Sequence, residues 1–164
     1  MKIVMDACTL ILLAKSLVLE KTLNAFEIVT TTEVYAEVAK GKEKKFEDAL
    51  LAEKLKTSNL LKIDSSNKKI MNQISEKFNM GEGESSVISL ALTEKNIIVA
   101  TDNKQGRKAA RVHDLSLIGS LELVVSLNKK GIIDRNKATE AINVLQREGW
   151  FQSHLIERAL EDVK

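Results

Sequence analysis

Twice in this chain a short, β-branched apolar run ends on an aspartate and passes directly into helix-forming sequence. Residues 2–5 (KIVM) lead to Asp6, and residues 96–100 (NIIVA) lead to Thr101 and Asp102. Further strands are predicted over 27–30, 60–63 and 115–118, and helices follow from Asp6 to about Lys15 and from Thr32 to about Ala39. Repeated strand–helix–strand units of this length imply an α/β fold, a central parallel sheet flanked by helices on both faces. Another helix is predicted over 43–56. Ile70, Ile74 and Phe78 recur at helical spacing as one apolar stripe. Gly81 to Glu84 breaks that helix and opens the next, over 85–94, whose VISLAL core is apolar all round and so reads as buried. A basic helix over 104–113 and a last one over 120–129 complete the alternating part.

Beyond Gly131 the pattern changes to helix alone. Ala138, Ala141, Ile142 and Leu145 form one stripe, and Leu155, Ile156, Ala159, Leu160 and Val163 form another. This C-terminal helical hairpin needs a surface to cover, either the sheet or a second subunit. At 164 residues one domain over 1–164 is expected, with a core over 1–133 and terminal helices over 134–164. No apolar run approaches the roughly 18–20 residues of a membrane span. The opening residues are too short, with an acid too early, for a signal peptide or anchor. The single cysteine, Cys8, excludes an internal disulfide and fits a reducing, cytoplasmic compartment. With only two separated histidines, it also excludes a Cys/His zinc cage. A net charge of +2 does not advertise nucleic-acid binding, so any such binding needs local patches. Two are present: Lys40, Lys42, Lys44 and Lys45, then Lys104, Arg107, Lys108 and Arg111. Either also reads as a solvated helix face.

Open parallel sheets bind ligands at the carboxyl ends of their strands, where Asp6 and Asp102 fall. Taken singly, each reads as an N-cap. With both strands central, the two carboxylates share one mouth. Glu37, three residues after Val34 and next to Val38, falls at the edge of a buried helix face, as a snorkelling boundary residue also would. Glu84 opens the buried helix within GEGES, where the helix dipole favours an anion, although Glu82 and Glu84 also read as ordinary first-turn acids. Four carboxylates crowd into one cleft only if some are protonated or a divalent cation holds them. All-oxygen ligation suits Mg²⁺ or Mn²⁺. Such a site polarises a phosphate and acidifies a bound water, which is the chemistry of phosphodiester hydrolysis.

The segments MDACTLILLAK, TTEVYAEV, GEGESSVISLAL and IIVATDNKQGRKAARV resemble, in order, the four acidic motifs of PIN-domain nucleases, and most nearly those of the VapC-like prokaryotic group. LIGSLELVVSLNKKGII resembles that group's segment after the last motif strand, so the likeness covers residues 1–133. The resemblance implies a PIN-like fold in which Asp6, Glu37, Glu84 and Asp102 are the metal-binding and catalytic acids. Glu84 is the better match than Glu82, being the acid seven residues before Ala91. It implies cleavage of single-stranded RNA by metal-activated water, leaving 5′-phosphate and 3′-hydroxyl ends. It also implies a toxin silenced by an antitoxin protein laid over the acidic cleft; a homodimer is expected besides. Arg107 matches the family's arginine in its segment, and with Lys104 it is expected on the phosphate backbone. Two departures stand out. Cys8 replaces a frequent serine, leaving Thr9 to supply a hydroxyl on the substrate side. Asn103, also expected there, replaces an acid and removes one charge that a second metal would use.

Two other readings remain. A non-catalytic PIN-fold module binding RNA or protein is favoured by Asn103. An acidic-pocket phosphotransfer domain is disfavoured because DACT lacks the second aspartate of a DxDxT motif. Cys8 as a nucleophile and His113 or His154 as general bases are set aside, since no partner lies near in sequence. Trp150 and Phe151 read as core or dimer contact rather than a base-stacking surface.

Overall fold

A computed structural model describes residues 2–43, 53, 56, 57 and 59–164, with side chains omitted over 41–43. Its centre is β1 (Lys2–Met5), whose Ile3, Val4 and Met5 have no exposed surface. That follows from lying inside a sheet covered on both faces. β1 pairs in parallel with β2 (Glu27–Thr31) on one side and with β4 (Ile97–Ala100) on the other, Val4 standing opposite Val29 and Val99. β3 (Lys62–Asp64) and β5 (Leu117–Ile118) form the edges, giving an all-parallel order β3-β2-β1-β4-β5. The chain moves outward from β1 to β3, then crosses back to β4. The crevice above the carboxyl ends of β1 and β4 is therefore the switch point where such sheets bind ligands. The Asp6 amide donates to the Ala100 carbonyl at 3.1 Å, extending the ladder one residue and drawing Asp6 to that crevice.

The helices form two layers. α4 (Lys68–Phe78), α5 (Glu82–Thr93) and α6 (Lys104–Val112) pack together on one face. α5 lies directly on β1, β2 and β4 with α3 (Thr32–Glu43), α4 and α6 against it, which is why its sequence is apolar all round. The other layer holds α1 (Ala7–Lys15), α2 (Leu19–Ala25) and α7 (Ser120–Lys129). α8 (Arg135–Glu148) packs on α1 and α7, and α9 (Ser153–Asp162) on α7 and α8. The C-terminal hairpin thus covers the helical layer of its own chain, neither of the two surfaces predicted. Ala138, Ala141, Ile142 and Leu145 are fully buried as expected, whereas Leu155 is exposed. The Asn128 side chain accepts from the Lys164 amide at 2.8 Å and donates to its carbonyl at 3.2 Å, fastening the last residue.

Three further differences stand out, two of them with a physical cause. α2 was not predicted, because the turn before it uses Leu17 at φ 57° rather than a glycine or asparagine. β5 begins at Leu117, not 115, because Asp114 adopts φ 53° and the Leu115 amide still bonds back to the Ala110 carbonyl at 2.9 Å. β3 starts at Lys62, two residues later than expected. The helix predicted over 43–56 lies largely outside the described residues, as do Lys44 and Lys45. No helix among the described residues is long and apolar enough to cross a membrane.

Candidate active site

Asp6 serves two ends with its two oxygens. Its backbone is extended (φ −81°, ψ 170°), and Oδ1 accepts from the Thr9 amide at 2.8 Å, capping α1. Oδ2 is buried and has no hydrogen-bond partner. An unpartnered buried carboxylate oxygen is costly, because nothing replaces the water it gave up. Burial accordingly raises the Asp6 carboxyl to about 6, with nearby Thr101 and Thr9 holding the rise down and Asp102 adding to it. The Thr101 hydroxyl stands near this carboxylate, but no hydrogen bond reaches Oδ2.

Asp102 lies two residues past β4. The Ser120 amide at the start of α7 donates to both its oxygens, at 3.0 and 3.2 Å, and the Thr9 hydroxyl donates to Oδ2 at 3.2 Å. Burial raises this carboxyl too; the Ser120 and Thr9 bonds oppose the rise and the Glu122 charge adds to it. Thr9 therefore ties the two aspartates together, its amide on one and its hydroxyl on the other.

The two glutamates meet at the start of α5. Glu84 is half-buried whereas Glu82 is exposed, so the first turn directs Glu84 inward. Glu37 is exposed on α3, yet its carboxylate rests over Gly83, where a β-carbon would collide with Oε2. Burial and then the Glu37 charge raise the Glu84 carboxyl. Between the pairs stands Cys8. Its thiol is pushed up to about 12 by burial first, then by the charges of Asp6, Asp102, Glu84 and Glu37. The residue as a whole nonetheless keeps an exposed surface, so its thiol is covered by its neighbours while the residue remains accessible. A thiol held protonated is a poor nucleophile.

The charges of all four acids thus bear on one residue. Among the described residues, no three His, Cys, Asp or Glu side chains converge into a ready-made metal cage. What does fit a hard cation is the all-oxygen donor set and the unpartnered Asp6 Oδ2 at the switch point.

The residues expected on the substrate side divide. Lys104 is exposed, and Arg107 is half-buried with Nη1 donating to the Thr101 carbonyl at 3.1 Å. Thr9 is fully buried and spends its hydroxyl on Asp102. The Asn103 Oδ1 caps α6, accepting from the Gln105 and Gly106 amides at 2.8 and 3.2 Å. Both residues are engaged with their own chain. Sequence reasoning missed Ser120, Glu122 and Thr101. Glu122 alone left a signal, standing three residues into a helix where its Oε2 accepts from the Gly119 amide at 3.1 Å. Trp150, read as core or dimer contact, is fully exposed. His113 lies edge-on to Phe78, 5.9 Å between ring centres, with Nε2 buried and unpartnered.

A parallel sheet in this order, with acids at its switch point, defines an α/β fold with a ligand-binding crevice. A family model described as PIN domain matches residues 2–164, and the chain belongs to that family. PIN domains are generally nucleases and typically use divalent metals. No curated protein matches the chain.

Proposed function

We propose that this chain is a divalent-metal-dependent endoribonuclease acting on single-stranded RNA, with Asp6, Glu37, Glu84 and Asp102 holding Mg²⁺ or Mn²⁺. The observation that carries the reading is the unpartnered, buried Oδ2 of Asp6, set beside Asp102 at the sheet's switch point. Mg²⁺ commonly binds through one or two carboxylates with water and substrate phosphate completing its shell, so a three-acid cage is not required. When bound, such an ion supplies a Lewis acid for the phosphate and acidifies an attacking water.

The chain's own residues prepare that chemistry. Thr9 and the Ser120 amide fix the Asp102 carboxylate, and the Thr9 amide fixes Asp6. Glu37 and Glu84 add negative charge near Cys8. Lys104 and Arg107, on the helix that starts beside Asp102, draw the phosphate backbone toward the acids. The toxin role, an antitoxin segment over the cleft, a homodimer, a cytoplasmic location and a single domain over 1–164 rest on the resemblance of the motifs and on composition. A non-catalytic RNA-binding module is the second reading. Asn103 favours it, standing as a neutral helix cap where an acid would add a donor beside Asp102.

The test is end-labelled single-stranded RNA incubated with the purified chain in Mn²⁺ or in EDTA. Internal cleavage with 5′-phosphate products in Mn²⁺ and none in EDTA is the expected result. Cleavage that persists in EDTA, or binding without cleavage in Mn²⁺, overturns it.

A further inference from the structure

A cleft of about 540 Å³ opens beside Asp102, lined by Lys104, Arg107 and Arg111 of α6, by Glu122 of α7, and by Trp150 and His154. That volume lies within the roughly 300–1,000 Å³ of sites that enclose small organic groups. The cations stand at i, i+3 and i+7 of α6, on one face of the helix. None of them makes an ion pair with a described residue; Arg107 Nη1 is held by the Thr101 carbonyl, and the exposed Lys104 and Arg111 present the more open charges.

Trp150 is the chain's only tryptophan and is fully exposed. An indole in water contributes nothing to the fold, although burying it would be strongly favourable. Its neighbour shows why it stays there. Gly149 ends α8, and a β-carbon at that position would collide with the Phe151 ring. The glycine therefore lets Phe151 seat tightly against the loop, which holds the segment in place with Trp150 outside. A flat, fully exposed aromatic ring lining the same cleft as a row of cations matches one chemistry: an unpaired base stacked on the ring, its phosphates on the helix.

We propose that Trp150 is a base-stacking platform for single-stranded RNA, with the strand's phosphates along Lys104, Arg107 and Arg111 as it runs past Asp102. The proposal rests on the ribonuclease reading for its substrate class. Stacking tolerates any base, so this contact supplies affinity rather than sequence choice.

Because the chain has one tryptophan, its fluorescence reports this contact directly. A ten-nucleotide single-stranded RNA titrated in EDTA should quench it, and the same sequence as a duplex should quench far less. Trp150→Ala should weaken binding of the single strand about tenfold or more, and Trp150→Phe should restore most of it. The salt dependence should stay unchanged in Trp150→Ala, whereas Arg111→Ala should flatten it by roughly 0.7 per lost contact. Unquenched fluorescence with wild-type affinity in Trp150→Ala overturns the inference. So does a Trp150→Ala variant that changes from dimer to monomer in sedimentation with RNA affinity intact. Cleavage in Mn²⁺ by a Trp150→Ala variant of unchanged RNA affinity would sink the stacking proposal alone. Loss of affinity in a chain that never cleaves would sink the nuclease reading and leave the stacking platform standing.

Discussion

Asp6 shows how one side chain can be a structural cap and an open ligand at once. Asparagine caps a helix about as well as aspartate, so Asp6→Asn keeps α1 while removing the buried charge. The folded carboxyl titrates near 6 against an ordinary 3.8. Between those values the folded state keeps a proton the unfolded state has lost, so metal-free stability falls as pH rises from about 4 to about 6. The penalty above that window is on the order of 3 kcal/mol. Thermal melts in EDTA should therefore show Asp6→Asn more stable than wild type at pH 8, with the difference fading toward pH 4. A variant less stable at pH 8 would mean that Oδ2 has a favourable role without metal. Thr9→Val retains the amide that caps through Asp6 but removes the hydroxyl on Asp102. It should lower stability by about 1 kcal/mol and weaken Mn²⁺ binding in isothermal titration. Unchanged Mn²⁺ affinity would show that the link between the aspartates is not functional. Asp6 and Asp102 were legible in the sequence because each follows an apolar run; that Thr9 and Asn103 are engaged internally was not, since a hydroxyl or amide leaves no periodic trace.

The start of α5 is where register decides function. Glu84→Gln and Glu37→Gln should each weaken Mn²⁺ binding about tenfold or more, and Glu82→Gln should change it little, because residues two apart on a helix face different ways. Gly83→Ala changes no charge but displaces the Glu37 carboxylate, so it too should weaken Mn²⁺ binding. A damaging Glu82→Gln beside a silent Glu84→Gln would exchange their assignments. The element was readable in advance because GEGES precedes a run that is apolar on every side, and only a helix laid on the sheet can bury such a run. α2 was not readable. Its Leu19, Thr22 and Leu23 are buried at helical spacing, but Leu17 makes the preceding turn in the left-handed region without a residue that announces it. The exposure of Cys8 was not readable either, since position near a strand end does not reveal whether a side chain meets solvent.

At the scale of the molecule, strand order makes the site. With β1 central and β4 beside it, the two aspartates share one crevice, and α3 and α5 bring the glutamates to its far side. The alternation of strands and helices foretold the sheet and its central strands. It could not foretell that Ser120 and Glu122 from α7 would reach Asp102, because that contact depends on how the two helical layers close over the sheet. Nor did the terminal stripes say that α8 and α9 would cover α1 and α7. The central claim is that the acids at this crevice hold a catalytic metal. Mn²⁺ titration and single-stranded RNA cleavage by Asp102→Asn, which keeps one oxygen to accept from the Ser120 amide and loses the charge, test it most directly. The expected result is Mn²⁺ affinity at least tenfold weaker and cleavage reduced to background in a variant that melts no lower than wild type. A variant that folds, binds Mn²⁺ as wild type and still cleaves would contradict it.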